Sequence, residues 1–333
     1  MNSIVVVTGA TAGVGRATAR EFARRGCRLG LMARGQDQLD ATAAELRDMG
    51  AEVCAVSVDM ADADAVERAA ERVEQALGPI DIWVNNAMAT VFAPVRETSP
   101  AEFRRATEAT YLGAVNGTMA ALKRMAARNR GTIVQVGSAL SYRAIPLQAA
   151  YCGAKYAIRG FTDSLRCELI HDRLKVHLTM VHLPAVNTPQ FDWARNHMTK
   201  RAQPVPPIFQ PEVPARAIAF AATHRRREIW LGWPTVKAIL ANKVAPGLLD
   251  RYLARKGYDT QLGPEPHDPS EPGNLFEPLP GDPGAHGRFD AQSRDTSSEL
   301  FTSRHRDAFA GGLLMLGALA LGAMVRRGVA RRC

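Results

Sequence analysis

Seven short β-branched runs alternate with segments of helical period between residues 4 and 232, and no feature constrains the fold more. The runs are 4–7, 28–33, 53–58, 80–85, 132–137, 176–181 and 228–232; helical segments lie near 14–25, 36–48, 62–77, 100–128, 150–171 and 211–223. Such alternation implies an α/β doubly wound parallel sheet covered on both faces, because parallel strands need long crossovers and the helices must bury an apolar stripe. The ligand crevice of such a sheet lies beyond the carboxyl ends of its strands. The motifs at those ends therefore decide the chemistry.

The first run enters TGATAGVG (8–15) and then a helix. Gly9, Gly13 and Gly15, with Thr11 and Val14 between and beside them, make a turn whose backbone can approach a pyrophosphate. The following helix N-terminus faces the negative charge. The second run ends at Ala33-Arg34, with no carboxylate to take a ribose 2′-hydroxyl. An arginine there suits a 2′-phosphate, which predicts NADP(H) rather than NAD(H) as cofactor. Asp59, after the third run, is a candidate for the adenine amino group. Asn85, Asn86 and Ala87 end the fourth, where amides act as ligands or as backbone braces.

Ser138 stands at the end of the fifth run, thirteen residues before Tyr151, and Lys155 follows one helical turn later. Hydride delivery to a carbonyl leaves an alkoxide that needs a proton. A free phenol, with a pKa of about 10, is a poor donor and base until a nearby cation favours its ionised form. Tyr151 is thus the candidate general acid/base, Lys155 its tuning cation and a donor to the nicotinamide ribose, and Ser138 the hydroxyl that holds the substrate oxygen. A YxxxK spacing alone is common by chance. Its weight comes from the glycine loop, the NNA strand end and the serine that precede it.

With TGATAGVG, NNA (85–87), Ser138 and YCGAK (151–155) in this order, the chain resembles the short-chain dehydrogenase/reductase family over about 1–232. The resemblance implies a Rossmann-like fold with a seven-stranded parallel sheet, NAD(P)(H) use, Ser/Tyr/Lys catalysis and homo-oligomers built on the helices near 100–128 and 150–171. It also implies that Pro184 and Thr188 meet the cofactor. Three positions depart from the family pattern. Thr110 stands where an Asn usually holds a helix kink and a water on the proton path. Met88 replaces a Gly after NNA, and Ala185 follows Pro184 where a Gly is usual.

The domain so read ends near 258. A proline-rich stretch, 184–214, interrupts the alternation and suggests a binding lid, with Phe191, Trp193, Ile208 and Phe209 pointing to an apolar substrate. Residues 235–258 look helical, broken at Pro246-Gly247. Residues 259–307 are dense in Pro, Gly and Asp and read as a linker, although the aromatics of NLFEP and GRFD could dock. Residues 308–325 carry no charge over 18 positions and are expected to form a transmembrane or membrane-inserted helix, followed by the basic tail 326–333. That places the protein at a membrane with its catalytic domain on the cytoplasmic side. The net charge of +9 comes without an aromatic-interleaved basic patch, which speaks against nucleic acid as a partner. Five scattered Cys without a CxxC fit neither a disulfide framework nor a metal site. The expected activity is an NADP(H)-dependent carbonyl–alcohol oxidoreductase. The open alternatives are a catalytically weak, membrane-tethered NADP(H)-binding scaffold or redox sensor, and an isomerising or dehydrating enzyme on the same site.

Overall fold

The computed structural model describes residues 2–304. Strands β1 (Ile4–Thr8), β2 (Arg28–Ala33), β3 (Val53–Ser57), β4 (Ile82–Asn85), β5 (Gly131–Ser138), β6 (Val176–Leu183) and β7 (Glu228–Trp230) form one sheet. Their spatial order is 3-2-1-4-5-6-7, and every neighbouring pair is parallel. Winding reverses between β1 and β4, so a crevice opens at their carboxyl ends.

Alternate side chains serve the two faces. Val5, Val7, Leu29 and Leu31 pack with Phe22 and Leu39 of helices α1 (Gly13–Ala23) and α2 (Gln36–Asp48) and with Phe220 of α7 (Glu212–Thr223). Ile4, Val6, Trp83 and Ile133 face Val73, Met125 and Leu165 of α3 (Ala63–Leu77), α5 (Gly113–Ala127) and α6 (Ala149–His171).

The helix expected over 100–128 is present and unbroken from Pro100 to Ala127, with a π turn within it. It is α4 (Pro100–Thr107), the π turn (Glu108–Leu112) and α5. The cause of the π turn is local. Thr110 is fully buried, and its hydroxyl accepts from Ala89 N–H (2.9 Å) and donates to Ala89 C=O (3.0 Å). Holding the loop after β4 at both groups draws one extra residue into the turn. After β7, the chain forms α8 (Trp233–Val244) and α9 (Pro246–Lys256), with the break at Ala245.

The linker reading of 259–307 is corrected for its described part, 259–304, which packs against the domain. Leu262–Pro266 pairs with Lys200–Ala202, and Ser293–Arg294 with Ile208–Phe209. Leu275, Ala285, Phe289 and Leu300 are buried. Composition underrated this segment because its docking rests on a few widely spaced apolar anchors and on backbone carbonyls, which no hydropathy count registers. The apolar stretch 308–325 and the basic tail 326–333 lie outside the described residues. Among the described residues, no helix is long and apolar enough to cross a membrane.

Candidate active site

The glycine loop follows β1 without a cap residue and is held from two sides. Gly9 N–H donates to Met32 C=O of β2 (2.7 Å). The Asn86 amide donates to the carbonyls of Thr8 (3.0 Å) and Gly9 (3.1 Å), and Thr8 Oγ1 accepts from the backbone N–H groups of Asn86 and Ala87 (both 3.0 Å). Asn86 therefore braces the loop, and it also lines the cavity described next. Asn85 turns into the core, accepting from Trp83 and donating to Thr118. Two glycines are sterically required. Gly9 has φ +62° and an added Cβ would lie 2.8 Å from Ala87 Cα. A Cβ on Gly15 would sit 2.0 Å from the Gly9 carbonyl oxygen. Thr188 lies directly over Gly13, its methyl 3.0 Å from where a Cβ would be.

Gly9, Thr11, Gly13, Val14, Arg34, Asp59, Ala87, Ser138, Tyr151, Pro184 and Thr188 line one cavity of 510 Å³. That volume is in the range of small-molecule and cofactor sites. Buried polar atoms without a partner among the described residues, Thr90 Oγ1 and Gln190 Nε2, belong to lining residues. A cradle too tight for a Cβ, an arginine at the end of β2 and these unpaired groups fit a dinucleotide.

At the other end, Ser138 closes β5. Its Oγ accepts from Leu140 N–H (3.1 Å), and Ser138 and Tyr151 line the same cavity. Lys155 is buried, donates to Val136 C=O (2.7 Å) and lies 5.5 Å from the Tyr151 ring centre. Burial pushes the Tyr151 phenol well above its ordinary range, against the pull of Ser138. Burial also pushes the Lys155 ammonium down to about 8. Phe92, Leu140, Phe191, Trp193, Val205 and Tyr252 make the walls at this end apolar. Ile208 and Phe209, by contrast, are buried core and do not line the cavity.

Two arginines shape the opposite end. Asp59 accepts from Ala61 N–H (3.0 Å) and Arg105 (2.6 Å). Burial would raise its carboxyl, and these partners hold it below the usual range. Arg34 donates to the backbone carbonyls of Asn274, Leu275 (3.2 Å) and Phe276 (2.7 Å). The sequence did not mark Arg105; it marked NLFEP and GRFD as stretches that could dock, and Phe289 is buried, but it gave no sign that Asn274 reaches this cleft. Arg105 and Asn274 both come to the cleft from distant positions, with no local motif to place them there.

A sequence model described as short chain dehydrogenase matches residues 3–198. The chain belongs to the short chain dehydrogenase family. It is accordingly an oxidoreductase of the nicotinamide-dependent kind. It is 29% identical over 327 residues to an uncharacterized oxidoreductase, YxnA, of Bacillus subtilis, covering 98% of this chain and 91% of that protein. It is 32% identical over 269 residues to dehydrogenase/reductase SDR family member 7B of Bos taurus, covering 77% of this chain and 81% of that protein. Among solved structures, an alcohol dehydrogenase from the archaeon Thermococcus sibiricus complexed with 5-hydroxy-NADP superimposes with a TM-score of 0.60 at 28% identity. It covers 69% of this chain and 95% of that one. A single-residue variant of actinorhodin polyketide ketoreductase with NADPH gives a TM-score of 0.54 at 30% identity, covering 56% of this chain and 72% of that one.

Proposed function

We propose that the protein is an NADP(H)-dependent oxidoreductase that interconverts a carbonyl and an alcohol on an apolar substrate. The observation that carries this reading is that Ser138 and Tyr151, with buried Lys155 5.5 Å from the Tyr151 ring centre, stand at one cavity that the glycine loop and Arg34 also line. Two structural neighbours bound to NADP-type cofactors support the choice of nucleotide.

The bound nicotinamide supplies or accepts the hydride. Gly13, Val14 and the start of α1 would hold its pyrophosphate, Arg34 the 2′-phosphate, and Thr188 the neighbouring phosphates or carboxamide; Gly13 N–H and Arg34 would first release the carbonyls of Gly284 and of residues 274–276. Ser138 Oγ and the Tyr151 hydroxyl converge on the substrate oxygen. Tyr151 gives that oxygen a proton in reduction and takes one in oxidation. The phenol is protonated at neutral pH and can give that proton in reduction. The Lys155 ammonium stabilises the phenolate left behind. Thr110 cannot hand a proton onward, because its single O–H is spent on Ala89 C=O.

The test is NADPH oxidation across aldehydes and ketones of rising chain length, with wild type and Tyr151→Phe. Turnover is expected to rise with chain length and to fall by roughly 10²–10⁴ in the variant, with NADPH binding retained. An unchanged rate in Tyr151→Phe, or a preference for small polar carbonyls, would refute the reading. The same assay reads Lys155. Its proton is present below its depressed pKa and lost above it, so reductive kcat/KM should decline as pH rises through about 8. A profile flat across that range would remove Lys155 from the role of tuning cation.

A further inference from the structure

The C-terminal segment walls the cleft at Asn274, Pro278 and Leu279, and its path is specific. Arg195 holds its start through the carbonyls of Pro269 (2.6 Å) and Glu271 (2.8 Å). Asn274 N–H then donates to Trp193 C=O (2.8 Å). At the apex, Leu275 buries its side chain among Ala89, Ala93, Ala106 and Ala150 while Arg34 and Arg105 share its carbonyl. Further on, Gln38 donates to Leu279 C=O (2.6 Å), and Gly13 N–H donates to Gly284 C=O (3.2 Å). Asp282 pairs with Arg16 on α1. The segment returns to the domain at Asn187, which accepts from Phe289 N–H (3.0 Å).

The partners of this path are the groups that surround the adenosine half of the cleft: the end of β2, the start of α2 and the glycine loop. The segment roofs the cavity without filling it. The 510 Å³ space remains beneath, and Asn274, Pro278 and Leu279 are among its walls. Asn274 also brings a buried side-chain oxygen with no partner among the described residues. It is an acceptor set for a hydroxyl or amino donor.

We propose that residues 273–287 are a clasp that completes the cofactor site over its adenosine half, with Asn274 as an added acceptor, and that must open for the dinucleotide to enter or leave. The inference rests on the cleft being the NADP(H) site. Physically, a further wall over the ligand removes a route of escape. The cost falls on entry, since Leu275 must leave its pocket and the carbonyls must release two guanidinium groups. Cofactor exchange should therefore be slow and coupled to local opening.

A reversible lock tests this. A Cβ placed on Gly35 lies 3.4 Å from Pro278 Cβ, close to the span of about 3.5–4.5 Å that a disulfide bridges. In Gly35→Cys/Pro278→Cys, with Pro278→Cys alone as control for the native thiols, NADPH capture and release are followed by stopped-flow fluorescence. Oxidation of the double variant is expected to slow both at least 100-fold, and dithiothreitol to restore them. Equal rates in the oxidised and reduced forms, with the bond verified by thiol titration, overturn the clasp. So does oxidised protein that loaded NADPH beforehand yet releases it freely. Leu275→Asp decides the matter if the disulfide does not form. Release should then be at least 10-fold faster, and unchanged release with rapid amide exchange across 273–287 overturns the proposal. Wild type that binds no NADPH at all would sink the functional reading, and the clasp with it.

Discussion

Two parts of this molecule enclose the same cleft by different physics. The sheet and its helices, residues 4–232, bury a dense apolar face on each side: Phe22, Leu29, Leu31, Trp83 and Ile133 are all without exposure. The segment 259–304 has little apolar material and holds on by separated anchors, Leu275, Ala285, Phe289 and Leu300, with arginine and glutamine side chains gripping its carbonyls between them. The first arrangement is cooperative, because each side chain packs against several others in one core. The second is modular. Losing one anchor frees a stretch of chain without opening the sheet. Position on the sheet needs rigidity, and cover over a site that must exchange its contents needs local stability only.

The largest effect separates the two. Phe22→Ala should cost about 3–5 kcal/mol of global stability, since it empties a fully enclosed site between β2 and α1. Leu275→Ala removes a side chain equally buried, yet should leave the main unfolding transition nearly in place. Its signature should be accelerated amide exchange confined to 273–287. Equal losses in the main transition, measured by urea denaturation, would show that the two parts unfold as one unit and would end the distinction.

A smaller effect tests the joint between them. Glu102 on α4 accepts from Ser99 N–H and Oγ, from Arg195 and from the His197 ring, all at 2.8–2.9 Å. Burial alone would raise its carboxyl. These partners more than offset that and hold it at about 2, against 4.5 unfolded. The stability this confers, roughly 3 kcal/mol, is complete above about pH 4.5 and is lost as pH falls toward about 2. Glu102→Gln should remove it at neutral pH and flatten that part of the acid limb. Because Arg195 also carries Pro269 and Glu271, amides at the start of the segment should exchange faster in the variant. Identical acid limbs in variant and wild type would show that Glu102 does not tie the two regions together.

Much of this was legible in the chain alone. The seven runs of β-branched residues became the seven strands within one or two positions, because a strand buried on both faces must be apolar throughout its length. The glycine loop, Ser138, Tyr151 and Lys155 could be named for a similar reason: each belongs to a short motif set at a strand end or on one helix turn. The resemblance tied position 110 to a helix kink; what the sequence did not show is its partner, a backbone group on the loop after β4, 21 positions away. The pairing of Asp59 with Arg105, the brace made by Asn86 and the seat of Leu275 are likewise contacts between residues far apart in sequence.

By itself, then, the sequence determined the order of strands and helices along the chain, the glycine turn after β1 and the motif residues Ser138, Tyr151 and Lys155. Period and short-range spacing are local properties of a chain, and they survive without knowledge of its fold. Only the tertiary structure decided that a Pro- and Gly-rich segment read as a linker walls the cavity, and that Arg34 grips its carbonyls. That outcome depends on carbonyls of 274–279 meeting guanidinium and amide donors some 240 residues away in sequence, a match between backbone groups that every residue carries and that no composition records.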